Sequence, residues 1–114
     1  MRPDDVLLVD MLEAGRDAVA FVEGCSYEDF EKDRMRQLAV VKAMEVIGEA
    51  ASKLSEEFRA GHPELPWRQI VGMRHRLVHD YFGIDLEQIW KTVQWDLPDL
   101  MTALSHWVSR GESE

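Results

Sequence analysis

Through the middle of the chain, Val40, Ala43, Ile47, Ala50 and Leu54 follow one another at steps of three or four residues. That spacing puts all five on one stripe of an α-helix. A strand, whose side chains alternate with period two, cannot present them on one face. Nowhere does the sequence alternate apolar and polar residues for long, and the helix formers Leu, Ala, Met, Glu, Arg and Gln are plentiful. The pattern predicts an all-α fold. Its longest helix is expected over Asp33–Phe58, where Leu38, Val41 and Gly48 mark a second stripe interrupted by Glu45. A helix buried on two faces is central in its bundle or central in an oligomer.

The other elements follow from local signals. A first helix is expected from Pro3–Asp5 to Val22, started by Pro3, Asp4 and Asp5 and stopped at Gly24. Ser26 suits an N-cap for a turn holding Tyr27 and Phe30. Gly61, His62, Pro63 and Pro66 mark a loop over 59–66. A third helix is expected from Pro66–Trp67 through Ile70, Val71, Leu77 and Val78. Gly83 and Asp85 precede a fourth, with Leu86, Ile89, Trp90 and Val93, and Pro98 starts or kinks a last one through Leu104 and Trp107. The architecture that fits is a four- to five-helix antiparallel bundle. With 114 residues, it is one domain over 1–114, its tail at 110–114 expected to fray.

Charge narrows the chemistry. The formal net charge is -9, which argues against broad, sequence-blind nucleic-acid binding through many Lys and Arg contacts. Yet residues 65–79 contain Arg68, Arg74 and Arg76, two His, and no Asp or Glu. Positive charge is focused there. Cys25 is the single cysteine, so neither an intrachain disulfide nor a thiolate metal site is expected. The charged N-terminus does not read as a signal peptide, and no run approaches the ~20 apolar residues of a membrane span. A cytoplasmic location with no membrane contact is expected.

Within the basic window, Arg74-His75-Arg76-Leu77-Val78-His79-Asp80-Tyr81 reads Arg-x4-His-x-Tyr. RNA is cleaved without metal when a base takes the proton of the 2′-hydroxyl, a cation stabilises the phosphorane, and an acid protonates the leaving oxygen. His titrates near neutral pH and suits acid or base duty. Arg is a permanent cation whose fork matches two phosphate oxygens. Arg74 and Tyr81, seven apart, share a helical face, as do His75 and His79. Arg74 and His79 diverge by roughly 140° on an ideal helix. Either the helix loosens near His79, or two chains contribute across a two-fold axis; the second arrangement is the one expected.

The chain resembles the HEPN superfamily, and within it the HepT-like toxins. The resemblance rests on Arg74 through Tyr81, on Glu45-Val46-Ile47-Gly48-Glu49-Ala50, and on Pro66-Trp67 with Ile70, Gly72 and Met73 leading into the motif; it covers about residues 3–108. It implies a homodimeric helical bundle with a composite cleft and metal-independent endoribonuclease activity, with no cofactor. It also implies the toxin role in a type VII toxin–antitoxin system, with RNA as substrate. A nucleotidyltransferase antitoxin would transfer AMP to the motif tyrosine. By position the phosphate-facing arginine is Arg74, the catalytic histidine His79 and the modified tyrosine Tyr81. The residue after the arginine is often Asn in the superfamily and is His75 here, so it either keeps a polar role or adds a second titrating group. A competing function is a non-catalytic binding or regulatory subunit of a nucleotidyltransferase.

Other residues carry weaker signals. His75 and His79 lack the Glu and third ligand of a His-Glu-x-x-His zinc site, so no metal is expected. Asp80 either orients a His or starts a turn. Glu45 and Glu49, four apart, form a solvated acidic edge, or one of them anchors Arg74 or Arg76. Gly48 costs roughly 1 kcal/mol against Ala in a helix interior, a cost that a close helix–helix approach at a dimer seam would offset. Trp67, Trp90, Trp95 and Trp107 read as core or interface anchors rather than base-stacking platforms.

Overall fold

A computed structural model describes residues 3–73 and 83–113, with side chains as far as Val108. The first helix, α1, spans Pro3–Phe21, with Asp4 and Asp5 in its first turn at the positive end of the helix dipole. The chain leaves it through Gly24, whose φ of 74° is the left-handed conformation that glycine adopts without strain. Ser26 caps α2 (Tyr27–Lys32). Its hydroxyl accepts from the Asp29 N–H at 3.1 Å, while the Asp29 carboxylate accepts from the Ser26 N–H at 3.2 Å. Asp33 ends α2 and caps α3 (Arg34–Lys53), accepting from the Arg36 N–H at 3.0 Å.

The single helix expected over Asp33–Phe58 is two. After Lys53 the backbone at Leu54 is extended, the Leu54 side chain is buried, and Ser55 caps α4 (Glu56–Gly61) by accepting from the Phe58 N–H at 3.1 Å. Asp4 holds the break open. Its carboxylate accepts from the Ser55 N–H at 2.9 Å and from the Ser55 hydroxyl at 2.7 Å. The start of α1 is thus fastened to the end of α3, and the two helices pack antiparallel. The loop expected over 59–66 shortens accordingly to the residues after Gly61.

The next helix, α5, covers only Trp67–Val71 and ends at Gly72. Leu77 and Val78, expected on the same helix, lie outside the described residues. Asp85 caps α6 (Leu86–Lys91) by accepting from the Gln88 N–H at 3.1 Å. The expected boundary between α6 and the last helix is a wide π turn at Thr92–Asp96, closed by the Leu97 N–H on the Thr92 carbonyl, and α7 (Leu97–Ser113) continues from it. Pro98 accounts for this turn. It has no N–H, and in a regular α-helix its ring would meet the carbonyl of Gln94; one extra residue in the preceding turn relieves both. The backbone of α7 stays helical to Ser113, into the segment that the sequence marks for fraying.

The fold is the expected all-α bundle. Helix α1 lies between α3 and α7, α5 packs on α3, and α2 covers the start of α3. Every member of the Val40–Leu54 stripe is buried, together with Met11, Ala18, Phe30, Ile89, Leu97 and Leu104. Gln37 is buried too. Its side-chain amide donates to the carbonyls of Phe30 and Glu31 at 2.9 and 3.0 Å, so its burial leaves no unmet donor. The second stripe fares differently: Val41 and Gly48 are buried, but Leu38 is 47% exposed. Among the described residues no helix is long and apolar enough to cross a membrane.

Candidate functional site

Five of the sequence-derived site residues, Arg74, His75, His79, Asp80 and Tyr81, lie outside the described residues. What the structure defines is the frame that leads into and out of their segment, together with Glu45 and Glu49.

On the entry side, four aromatic rings fix the start of α5. The Trp67 indole N–H donates to the His62 carbonyl at 2.8 Å. The Trp67 ring lies 6.0 Å from Phe58 and 6.3 Å from Trp107, and the His62 ring lies 4.4 Å from Phe58 and 4.3 Å from Trp107. This cluster joins α4, α5 and α7 at one end of the bundle. Ile70 and Met73 then point into the core, each only 5% exposed. The buried Met73 immediately precedes Arg74, so the motif departs from an anchored residue.

Gly48 of α3 makes the approach of α5 possible. A Cβ built there would sit 3.2 Å from the Ile70 carbonyl oxygen and 3.3 Å from that of Val71. Those are backbone atoms, which cannot swing aside as a flexible side chain could. The close approach expected at Gly48 therefore lies inside the chain, between α3 and α5, and not at a dimer seam. Sequence reasoning found the glycine but assigned the wrong neighbour, because a gap in a helix face does not say which helix fills it.

The structure separates the two glutamates. Glu49 pairs with Lys53 at 3.5 Å, its side chain 72% exposed, and forms a solvated edge of α3. Glu45 is half-buried, holds an interaction of its own, and lies one turn before Gly48 on α3. On the exit side, Gly83 and half-buried Ile84 lead to Asp85, and the Asp85 cap starts α6, whose Ile89 is fully buried. The segment is thus held at both ends by core residues.

Beside Met73 opens a cleft between α5 and the π turn, lined by Gln69, Ile70, Met73, Thr92 and Leu97. It is also lined by Glu64, Asp96 and Asp99, carboxylates that repel phosphate. Among the described residues no three His, Cys, Asp or Glu side chains gather as metal ligands. The tryptophans divide. Trp67 and Trp107 serve the cluster above, Trp90 packs on Phe30 and Tyr27 with centroids 5.5 and 5.8 Å away, and Trp95 stands 63% exposed on the π turn.

Comparison with known proteins gives this frame a context. The family model described as HepT-like, ribonuclease HepT-like, matches residues 11–106. A protein named as a probable ribonuclease HepT in Thermococcus cleftensis is 43% identical, over 82% of this chain and 84% of that protein. A protein provisionally named an RNase in Methanocaldococcus jannaschii is 40% identical, over 82% of this chain and 85% of its own. Another with a provisional RNase name, from Caldanaerobacter subterraneus subsp. tengcongensis, is 46% identical over 69% of this chain and 70% of its own. No solved structure matches significantly.

Proposed function

The chain belongs to the HepT-like ribonuclease family, and from that premise we propose that it is the RNA-cleaving toxin of a toxin–antitoxin pair, a metal-independent endoribonuclease acting through Arg74 and His79. The observation that carries this reading is the reach of the family match: residues 11–106 include the whole Arg74-x4-His79-x-Tyr81 motif and both ends of its frame.

The chemistry assigned to these residues balances without a metal. His79, unprotonated, takes the proton of the 2′-hydroxyl, and the 2′-oxygen attacks phosphorus. Arg74 pairs with the non-bridging oxygens as negative charge builds on them. The bond from phosphorus to the 5′-oxygen breaks, that oxygen receives a proton, and a cyclic phosphate remains. In a homodimer two copies of each group converge on one cleft, so the incoming and outgoing protons are handled by different imidazoles. His75 supplies a further polar or titrating group next to Arg74, Asp80 orients an imidazole, and Glu45 steadies an arginine of the motif.

Silencing follows from the same chemistry. AMP transferred to Tyr81 by a nucleotidyltransferase partner would add a phosphodiester seven residues from Arg74, a spacing that places two side chains near one face wherever the chain is helical. It would pair with that guanidinium in place of the RNA phosphate.

The test is direct. The purified protein, free of any partner, cuts RNA in the presence of EDTA, and Arg74→Ala and His79→Ala stop cutting while keeping wild-type circular dichroism. Loss of cutting in EDTA, or normal cutting by both variants, overturns the mechanism. Harmless expression of the wild-type chain alone in cells would instead favour a regulatory subunit.

A further inference from the structure

Five large apolar side chains stand exposed among the described residues: Val6, Phe21, Met35, Leu38 and Trp95. Phe21 lines a groove between α1 and α3, and Val6, Met35 and Leu38 fall on the helical faces that carry its other lining residues. On α1, Val6, Asp10, Glu13, Asp17 and Phe21 fall within about 80° of one another around an ideal helix. On α3, Met35, Leu38, Ala39, Lys42 and Val46 fall within about 100°. The two rows meet, because Asp10, Glu13, Asp17 and Phe21 line the same concavity as Ala39, Lys42 and Val46, with Ala14 and Ala43 as its floor. The Asp4–Ser55 contact fixes the antiparallel register of the two helices at the far end.

This groove is separate from the motif frame. Val46 lines it and Gly48 faces α5; two residues apart, they point about 160° from each other around α3. A body seated in the groove would leave the α5 side of α3 open.

We propose that the α1–α3 groove docks a basic amphipathic helix of a partner protein. The apolar content favours burial. Small floor residues beside exposed Phe21, with exposed Met35 and Leu38 on the same face of α3, form a surface that suits a helix carrying apolar anchors at i, i+3, i+4 and i+7. Charge selects the partner. Asp10, Glu13 and Asp17 are all exposed, and none of them forms an ion pair among the described residues. Lys42 is the one cation among the groove-lining side chains. A second copy of the chain would set two such acidic rails face to face, within a pair already carrying -9 each, whereas Lys and Arg flanking the anchors of a different helix would neutralise them. The α1 row from Val6 to Phe21 extends roughly 22 Å, the length of a helix of about fifteen residues.

The test uses the full chain and two synthetic fifteen-residue helices. Both carry Leu at i, i+3, i+4, i+7 and i+11, with Lys and Arg on the flanks of one and Glu on the flanks of the other. By fluorescence anisotropy the basic peptide binds at least tenfold more tightly than the acidic one. Binding weakens at least tenfold in Met35→Ser/Leu38→Ser and again in Asp10→Lys/Asp17→Lys. The variant Glu31→Lys/Asp96→Lys makes the same change in net charge away from the groove and stays within twofold of wild type. Equal binding of the two peptides, or equal loss in the Glu31/Asp96 variant, overturns the proposal. So does sedimentation showing a wild-type dimer that Met35→Ser/Leu38→Ser converts to monomer, because the occupant is then a second copy. None of these readouts depends on RNA cleavage.

Discussion

The carbonyl oxygen of Ile70 lies 3.2 Å from the point where Gly48 would carry a Cβ, and through this contact α3 sets the position of α5 just before the motif begins. In an open helix, Gly48→Ala would raise stability by about 1 kcal/mol. Here the added methyl meets two backbone carbonyls, so the expected result is a loss of about 1 kcal/mol, and about 2–3 kcal/mol for Gly48→Val. Urea denaturation checks this. RNA cleavage by Gly48→Ala should fall more than stability alone explains, since displaced α5 moves the start of the motif. A stabilised, fully active Gly48→Ala would show that the contact yields freely.

Asp4 and Ser55, far apart in sequence, form a two-bond contact. Removing a charged acceptor from a partly solvated site costs about 1–2 kcal/mol. Asp4→Ala should cost about that and Ser55→Ala more, because it also removes the α4 cap; the double variant should cost less than their sum, because the hydroxyl–carboxylate bond is lost in both. Additive losses would mean that the two residues act separately.

Acid should weaken the caps on both sides of α2. The Arg36 N–H, and then its guanidinium, hold the Asp33 carboxyl below its ordinary 3.8. The backbone N–H and hydroxyl of Ser26 do the same for Asp29. A carboxyl depressed in the folded state stabilises it above the unfolded pKa, and this contribution is lost as pH falls through the folded value. Wild type should therefore exceed Asp33→Asn in Tm near neutral pH, and the gap should close as pH drops below about 4. A gap unchanged from pH 6 to pH 2 would contradict this.

The two glutamates of α3 should not behave alike. Half-buried Glu45 sits one turn from the α5 contact, while Glu49 is solvated and paired with Lys53. Single-turnover cleavage should drop at least tenfold in Glu45→Gln and stay within twofold in Glu49→Gln, with both variants folded. Matching losses would assign neither residue a special role.

Intact mass reads the proposed silencing. Incubated with ATP and a nucleotidyltransferase partner, the protein should gain whole AMP units and lose RNA cleavage, and Tyr81→Phe should gain none at that position. Modification that leaves cleavage intact would detach the modification from control.

Much of the fold was legible because the signals act over a few residues. The Val40–Leu54 stripe, the stop at Gly24, the Ser26 cap and the Asp85 start all stand where the sequence puts them. The break at Leu54 was partly legible, since Ser55 followed by Glu56 and Glu57 is a helix-start pattern, but the continuing apolar period masked it. Leu38 was read as buried because periodicity gives a face, not the neighbour that covers it. In the candidate site, the residue types and spacing from Arg74 to Tyr81 carried the chemical argument, and that segment lies outside the described residues. The anchoring of its two ends was not legible, because it depends on which helices meet.

The sequence by itself determined the helical class and most helix ends, because a cap satisfies its orphan N–H groups within about three residues and needs no distant partner. Only the tertiary structure decided that Asp4 ends α3, that Gly48 receives α5, and that α1 and α3 share an open acidic groove. Each of these joins residues far apart in the chain. Their adjacency comes from how buried faces pack together, which no local pattern records.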